Sequence, residues 1–289
     1  MRVHRILVPT DFSETANHAE AQAIALARRH GAQLQLFHVI EPYWEPPPHL
    51  TDAVRDHLEQ LELEADTTLA SKVDTLRASG VNVSYATSQH VPPTTAIVNA
   101  VEKYGPDLVV IGTHGRRGFQ HFVLGSVAEK LLRTVPVNVL SLNVDAPLVA
   151  ADRSYARILV PIDFSDHSRR ALDAAFALLA DDGVLHVVHV VHAPIYPAFY
   201  PGGFAPAPIA PPMTVLVEEH LTRWLGERNA ARDVRIGDPF HQILEARAET
   251  DAELIVMGTR GLTGLEHVML GSVSERVVRQ SPVAVLTVH

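Results

Sequence analysis

Cysteine is absent from the 289-residue chain, which excludes disulfides, thiolate catalysis and cysteine-ligated zinc. Lysine is nearly absent: Lys72, Lys103 and Lys130 all fall in the first half, so no phosphoryl-transfer lysine is common to both halves. No apolar run reaches the roughly 20 residues that cross a bilayer. The N-terminal stretch MRVHRILVPTDFS has only residues 6–8 as an apolar run and lacks the long apolar segment of a secretory signal. A soluble, cytoplasmic protein without membrane partners is therefore expected. Basic charge is in deficit, with 24 Lys plus Arg against 33 Asp plus Glu and a net charge of -9, which argues against a nonspecific nucleic-acid coat. Neither a Walker A pattern nor a GxGxxG after the first strand is present, and no HExxH or isolated Ser-His-Asp set stands out. What remains is an ordinary globular composition, 47% hydrophobic and 20% charged. Its length suits two domains at about 150 residues each.

The chain is written twice. RILVPTDFS at residues 5–13 returns as RILVPIDFS at 157–165, with one difference, Thr10 against Ile162. Residues 112–142 match residues 258–288 at 15 of 31 positions. The offset is 152 in the first match and 146 in the second, so the second half is a net six residues shorter in between. Two domains are expected, 1–145 and 155–289, divided by the small, acidic, Pro-containing stretch NVDAPLVAADRS at 143–154.

Within each half, strand and helix signals alternate. Strands are expected at 6–8, 34–40, 81–85, 108–111 and 137–142, and helices at 14–29, 51–79, 94–103 and 127–133. The second half repeats this, with strands at 158–160, 185–191, 233–236, 254–257 and 283–288 and helices at 168–179, 214–227, 240–250 and 273–279. Strands such as LVVI and LIVM are apolar at consecutive positions, the mark of a parallel sheet covered by helices on both faces. Each half thus reads as an α/β unit with a five-stranded parallel sheet. Ligands of such sheets bind beyond the carboxyl ends of the strands where the order reverses. Here those are the loops after the first and fourth strands.

Both loops carry chemistry. After the fourth strand, Gly112, Gly115, Gly125 and Ser126 match Gly258, Gly261, Gly271 and Ser272 in the spacing G-x2-G-x9-G-S. A helix is expected to start after each Gly-Ser, and its first N–H groups with those of the glycines form a candidate anion cradle suited to phosphate. The serine hydroxyls are candidates to cap the helix or to donate to phosphate. After the first strand, Asp11 and Asp163 have three candidate roles: accepting from a ribose hydroxyl, holding Mg²⁺ or capping the next helix. Pro9 and Pro161 donate nothing, leaving the N–H groups of Thr10 and Asp11 as candidate donors to a base or ribose. His18 and His30 read as structural residues facing solvent or a strand. His186, His189 and His192 alternate between sheet faces, so a joint metal site is not expected. His38 corresponds to His189 as a satisfied sheet histidine. His121 and His267 match within the nine-residue spacer and read mainly as structural, while Arg116 and Arg117 are candidate phosphate neighbours in the first half only. The Pro-rich loops 41–50 and 193–212 carry Tyr43, Trp44, Tyr196, Phe199, Tyr200 and Phe204, which suit covering a ligand, docking the other half or bridging subunits.

Together, ILVPTDFS and ILVPIDFS, LFHVI and VVHVV, and GTHG and GTRG each followed by Gly-Ser resemble the universal stress protein family, in its tandem two-domain, ATP-binding form. The resemblance implies an adenine nucleotide alpha hydrolase-like fold, two open parallel five-stranded sheets of order 3-2-1-4-5 flanked by helices. It implies pairing of the two halves through their fifth strands and allows a homodimer. It places the base at Pro9, Thr10, Asp11 and Val39 and the phosphates on Gly112, Gly115, Gly125, Ser126 and the Val127 amide. The second site would use Pro161, Ile162, Asp163, Val190, Gly258, Gly261, Gly271, Ser272 and Val273. The implied cofactor is ATP, with any Mg²⁺ near Asp11 and Asp163 held through phosphates. The implied function is a nucleotide-dependent regulatory or interaction module of the stress response, rather than a dedicated enzyme. A protein-interaction scaffold with vestigial pockets and a slow Mg²⁺-dependent ATPase are the alternatives.

Overall fold

The structure is a computed structural model and describes residues 3–40, 51–89, 91–113, 124–191, 211–259 and 270–289. The first half runs β1 (Arg5–Thr10), α1 (Glu14–His30), β2 (Gln33–Ile40), α2 (Thr51–Ala78), β3 (Val83–Gln89), α3 (Pro93–Tyr104), β4 (Leu108–Gly112), α4 (Ser126–Thr134) and β5 (Asn138–Leu142). The second runs β6 (Tyr155–Ile162), α5 (Asp166–Leu178), β7 (Leu179–Val191), α6 (Pro211–Leu225), β8 (Ala231–Ile236), α7 (Pro239–Thr250), β9 (Leu254–Gly258), α8 (Ser272–Gln280) and β10 (Ala284–Val288). Local chemistry sets several of these ends. The Ala16 N–H donates to the Ser13 hydroxyl (3.2 Å) and the Ser168 N–H to that of Ser165 (3.2 Å), so both helices that follow a first strand carry serine caps. Gly31 stops α1 at φ 62°, where a side chain is disfavoured. Several boundaries differ from the sequence expectation: β3 runs on to Gln89, β6 spans Tyr155–Ile162, and the 13-residue β7 begins at Leu179, the last residue of the expected helix 168–179, opposite Tyr155 with a register shift before Arg157.

The strand order is β3-β2-β1-β4-β5-β10-β9-β6-β7-β8, a single ten-stranded sheet. Each half has the expected internal order 3-2-1-4-5, and its neighbours are all parallel. The two five-stranded sheets are continuous: the fifth strands pair, as the resemblance implies, with β5 and β10 antiparallel, so that the halves form one mixed sheet rather than two open parallel ones. The register shows the repeat as a local two-fold, because Leu140 faces Leu286, its counterpart in the other half. The Ser141 hydroxyl donates to the Val285 carbonyl (3.1 Å) and the Thr287 hydroxyl to that of Val139 (3.2 Å), one bond being the image of the other. All three strand runs LVVI, LIVM and AVLTV are buried, and apolar side chains from both halves form one layer on each face of the sheet. This is how consecutive apolar residues behave when both faces are covered.

The stretch between the halves lies against α1. The Val149 N–H donates to Gln22 Oε1 (2.8 Å), the ring N–H of His18 donates to the Ala146 carbonyl (2.6 Å), and Arg29 reaches the Ser154 hydroxyl. His18 therefore meets the connecting stretch rather than solvent or a strand. Among the described residues no helix is long and apolar enough to cross a membrane.

Candidate functional site

The sheet opens where its order reverses. β1 pairs with β2 from Arg5↔Gln33 through Thr10↔His38, but with β4 only at Ile6↔Leu108 and Leu7↔Val109. In the second half β6 follows β7 through Ile162↔His189, but meets β9 only at Ile158↔Leu254 and Leu159↔Ile255. In each half the first and fourth strands thus stop pairing before their carboxyl ends, the position at which open parallel sheets take ligands. The loops carrying Asp11 and Asp163 follow those ends of the first strands, and Gly112 and Gly258 close the fourth strands beside them.

The first-strand loop is a tightly determined turn. The Ser13 N–H donates to Asp11 Oδ1 (3.0 Å) and the Ser165 N–H to Asp163 Oδ1 (3.1 Å), so each acid forms an Asx-type turn and the serine two residues on caps the helix. The residue between them is left-handed in both copies, Phe12 at φ 64° and Phe164 at φ 68°. A bulky residue in that region costs about 1–3 kcal/mol and persists where its surroundings hold it. The holding partner is a histidine. Phe12 lies on His38 and Phe164 on His189, both with ring centroids 4.5 Å apart. Each imidazole Nδ1–H in turn donates to the carbonyl of the loop's own strand end, Thr10 (2.8 Å) or Ile162 (2.9 Å). Burial holds the His189 pKa below the ordinary histidine value, keeping the ring neutral near pH 7. Neither phenylalanine nor histidine stands among the sequence-expected site residues. The signal was available, since PxDFS and the strand histidine occur in both copies.

The glycine lattice divides by cause. A Cβ on Gly112 would stand 2.8 Å from Thr15 Cγ2 and 2.9 Å from the Thr15 carbonyl oxygen, and one on Gly258 would stand 2.7 Å from His167 Cβ. These two glycines are required by the close approach of α1 and α5 to the strand ends. Gly125 and Gly271 differ. Their backbones (φ -59°, ψ 140° and φ -70°, ψ 149°) suit any residue, and a Cβ on Gly271 would make only an ordinary 3.5 Å contact with the Thr259 carbonyl. Both are the N-cap of a helix that no side chain caps. Ser126 and Ser272 are thus the first helical residues, exposed, and the expectation that their hydroxyls cap the helix is corrected. The Gly125 and Gly271 N–H groups donate to the Thr113 and Thr259 carbonyls, each at 2.7 Å. What these glycines offer an anion is therefore an open approach, while the donors are the first-turn amides of Ser126 and Val127, or of Ser272 and Val273, which have no intrahelical acceptor. The helix dipole adds positive potential at the same point.

The universal stress protein family profile matches residues 2–142 and 154–289. The chain belongs to this family. A universal stress protein of Mycobacterium tuberculosis, Rv2005c, is 27% identical over 98% of this chain and 96% of its own. The Bacillus subtilis universal stress protein YxiE is 33% identical, aligning 47% of this chain with 99% of itself. Among solved structures, a universal stress protein from Archaeoglobus fulgidus superposes with a TM-score of 0.71 at 24% identity, covering 100% of this chain and 99% of that one. In this chain the two matched universal stress protein units are packed together.

Of the expected site residues, Pro9, Thr10, Pro161 and Ile162 are buried strand ends, and Asp11 and Asp163 are half-buried beside them. Val39 and Val190, also half-buried, stand one residue beyond His38 and His189 on the adjoining strands. Gly115, Gly261, His114, Arg116, Arg117, His121, His192, Arg260 and His267, and the aromatic residues of 41–50 and 193–210, lie outside the described residues. Among the described residues no group of three or more His, Asp or Glu could hold a metal ion.

Proposed function

We propose that each half of this universal stress protein is an ATP-binding unit and that the chain acts as a nucleotide-dependent regulatory or interaction module of the cytoplasmic stress response. The observation that carries this reading is Gly125 and its image Gly271. The backbone conformation requires glycine at neither, side-chain packing does not require it at Gly271, and both open an uncapped helix N-terminus that follows a fourth strand. A bulky anion approaching those amides explains the absent Cβ. In this reading the triphosphate lies on the amides of Ser126 and Val127, with Gly125 giving clearance and Gly112 and Gly115 beside it, and the adenosine end on Pro9, Thr10, Asp11 and Val39. The second half uses Ser272, Val273, Gly258, Gly261, Gly271, Pro161, Ile162, Asp163 and Val190. Any Mg²⁺ arrives on the phosphates, since one carboxylate per loop is the pattern of a nucleotide-borne ion rather than of an all-protein cage.

The chain's residues bind and orient. The first-turn amides are fixed dipoles aimed at phosphate, and His38 and His189 hold the loop turn through Phe12 and Phe164. No lysine stands in either lattice, so the reading is one of occupancy rather than turnover. The test is calorimetric titration of ATP into the full chain and into Gly125→Val and Gly271→Val. Each variant is expected to lose one site and keep the other. Undiminished binding in both variants overturns the placement, and absence of binding to the unmodified chain leaves only the scaffold reading.

A further inference from the structure

Two sheet edges remain once β5 and β10 have paired, β3 in the first half and β8 in the second. They differ in kind. β8 reads ARDVRI, with Arg232, Asp233 and Arg235 among its residues, and Arg235 pairs with both Asp233 and Glu249. Charges of this kind guard an edge against a further strand. β3 reads VSYATSQ, without a charge, a proline or a glycine. Among the described residues no strand pairs with its outer side.

The direction of each main-chain group on β3 follows from its register. Leu34 faces Val83, and the Leu34 N–H donates to the Asn82 carbonyl (2.9 Å). In a parallel pair Ser84, Ala86 and Ser88 then turn their N–H and C=O groups to β2, while Tyr85 and Thr87 turn both of theirs outward. The Val83 carbonyl is outward as well and accepts from Arg77 Nε (2.9 Å), so the open run begins at Tyr85. An antiparallel strand of the same sequence fits this run. With a two-fold at Ala86, Tyr85 lies opposite Thr87 of the other copy, and the two exchange both N–H···O=C bonds. The same register sets Ser84 opposite Ser88, a hydroxyl pair, and makes Tyr85 and Thr87 an aromatic with a β-branched residue, both favourable across strands. Ala86 meets its own copy, a small side chain where the strands come closest. Leu63, 67% exposed, lies on the flank of α2 that carries Asp66, which accepts the Tyr85 hydroxyl (2.7 Å). It extends apolar surface along the same margin. The two halves of the chain already join in this way, by an antiparallel match of fifth strands about a local two-fold.

We propose that β3 is a self-association edge, at which two copies of this chain pair antiparallel about Ala86 and share one continuous sheet. The contact is narrower than most stable interfaces, so the dimer is weak and forms by mass action as the chain accumulates.

The chain has no cysteine, so Ala86→Cys places a single thiol in the seam. Antiparallel partners that are not hydrogen-bonded stand about 4.5 Å apart at Cα, within disulfide reach. On mild oxidation the full chain carrying Ala86→Cys is expected to form a covalent dimer faster than one carrying Ile236→Cys, at a 43% exposed position on the other edge. Adding Thr87→Pro removes an outward N–H and spares the ladder to β2, and should abolish the cross-link with the urea midpoint retained. Two further variants decide the register without the proline. Adding Ser84→Lys with Ser88→Lys sets like charges opposite each other and should abolish the cross-link, whereas Ser84→Lys with Ser88→Glu sets opposite charges together and should retain it. Cross-linking of Ala86→Cys no faster than that of Ile236→Cys, or equal cross-linking in the two charge variants, overturns the proposal.

Discussion

At Gly112, Gly125, Gly258 and Gly271 one residue type serves two ends. Gly258 faces His167 at a distance no Cβ accepts, so Gly258→Ala is expected to destabilise the fold by about 2–3 kcal/mol, the cost of overpacking a tight contact. Gly271 has room for a methyl group, and Gly271→Ala should cost less than about 1 kcal/mol, the scale of a poorer N-cap, while weakening ATP. Urea unfolding and ATP titration of the two variants separate the roles. Equal loss of stability would contradict the division. The spacing G-x2-G-x9-G-S was plain in the sequence, but the division was not. A glycine required by a neighbouring helix and one that packing leaves unexplained look alike until the neighbour, here Thr15 or His167, is in place.

Among the elements, β5 and β10 do the joining. Alone, each would leave a sheet edge unpaired, and their antiparallel match closes both. The paired hydroxyl bonds of Ser141 and Thr287 mark the seam, and both side chains are buried, at 1% and 0% exposure. Thr287→Val keeps the shape and removes one bond, and an expected loss of about 1 kcal/mol follows from the net worth of such a bond. Ser141→Ala removes its image, and the double variant measured by urea unfolding should lose about the sum. A loss within error of zero would mean the seam is held by main-chain and apolar contacts alone. The strands themselves were legible because LVVI, VNVLSL and VAVLTV are apolar and β-branched. Their fusion into one sheet is absent from local patterning, which cannot tell an edge strand that pairs from one that is covered. β7 was read too short because Asp181, Asp182 and Gly183 break the apolar run, and the register with β6 skips them, from Leu179 to Val184.

Over the whole molecule, the halves share their apolar layers and a connecting stretch held on α1. His30, at the end of that helix, has a buried Nε2 with no partner in a region lined by Arg29, Ser154 and Tyr155. Burial, aided by the charge of Arg29, lowers its pKa from 6.5, and burial also lowers those of His186 and His189. The folded state therefore holds neutral imidazoles. Above pH 6.5 both states are unprotonated and this contribution is complete. As pH falls below 6.5 the unfolded chain takes up protons that the folded chain does not, and stability declines until the folded pKa values are passed. Tm is expected to fall between pH 7 and pH 5, with a shallower slope in His30→Gln. An unchanged slope would remove His30 from the account. The two-part organisation and the two loops were readable from the repeat, because an element written twice reveals which positions the structure keeps, whereas the order 3-2-1-4-5 came only from the family resemblance.

The measurement closest to the central claim is the number of ATP molecules bound per chain at saturation, counted by equilibrium dialysis of the full-length protein. Two are expected, one in each half. A count of one would restrict the site to a single half, and a count of zero would contradict the claim.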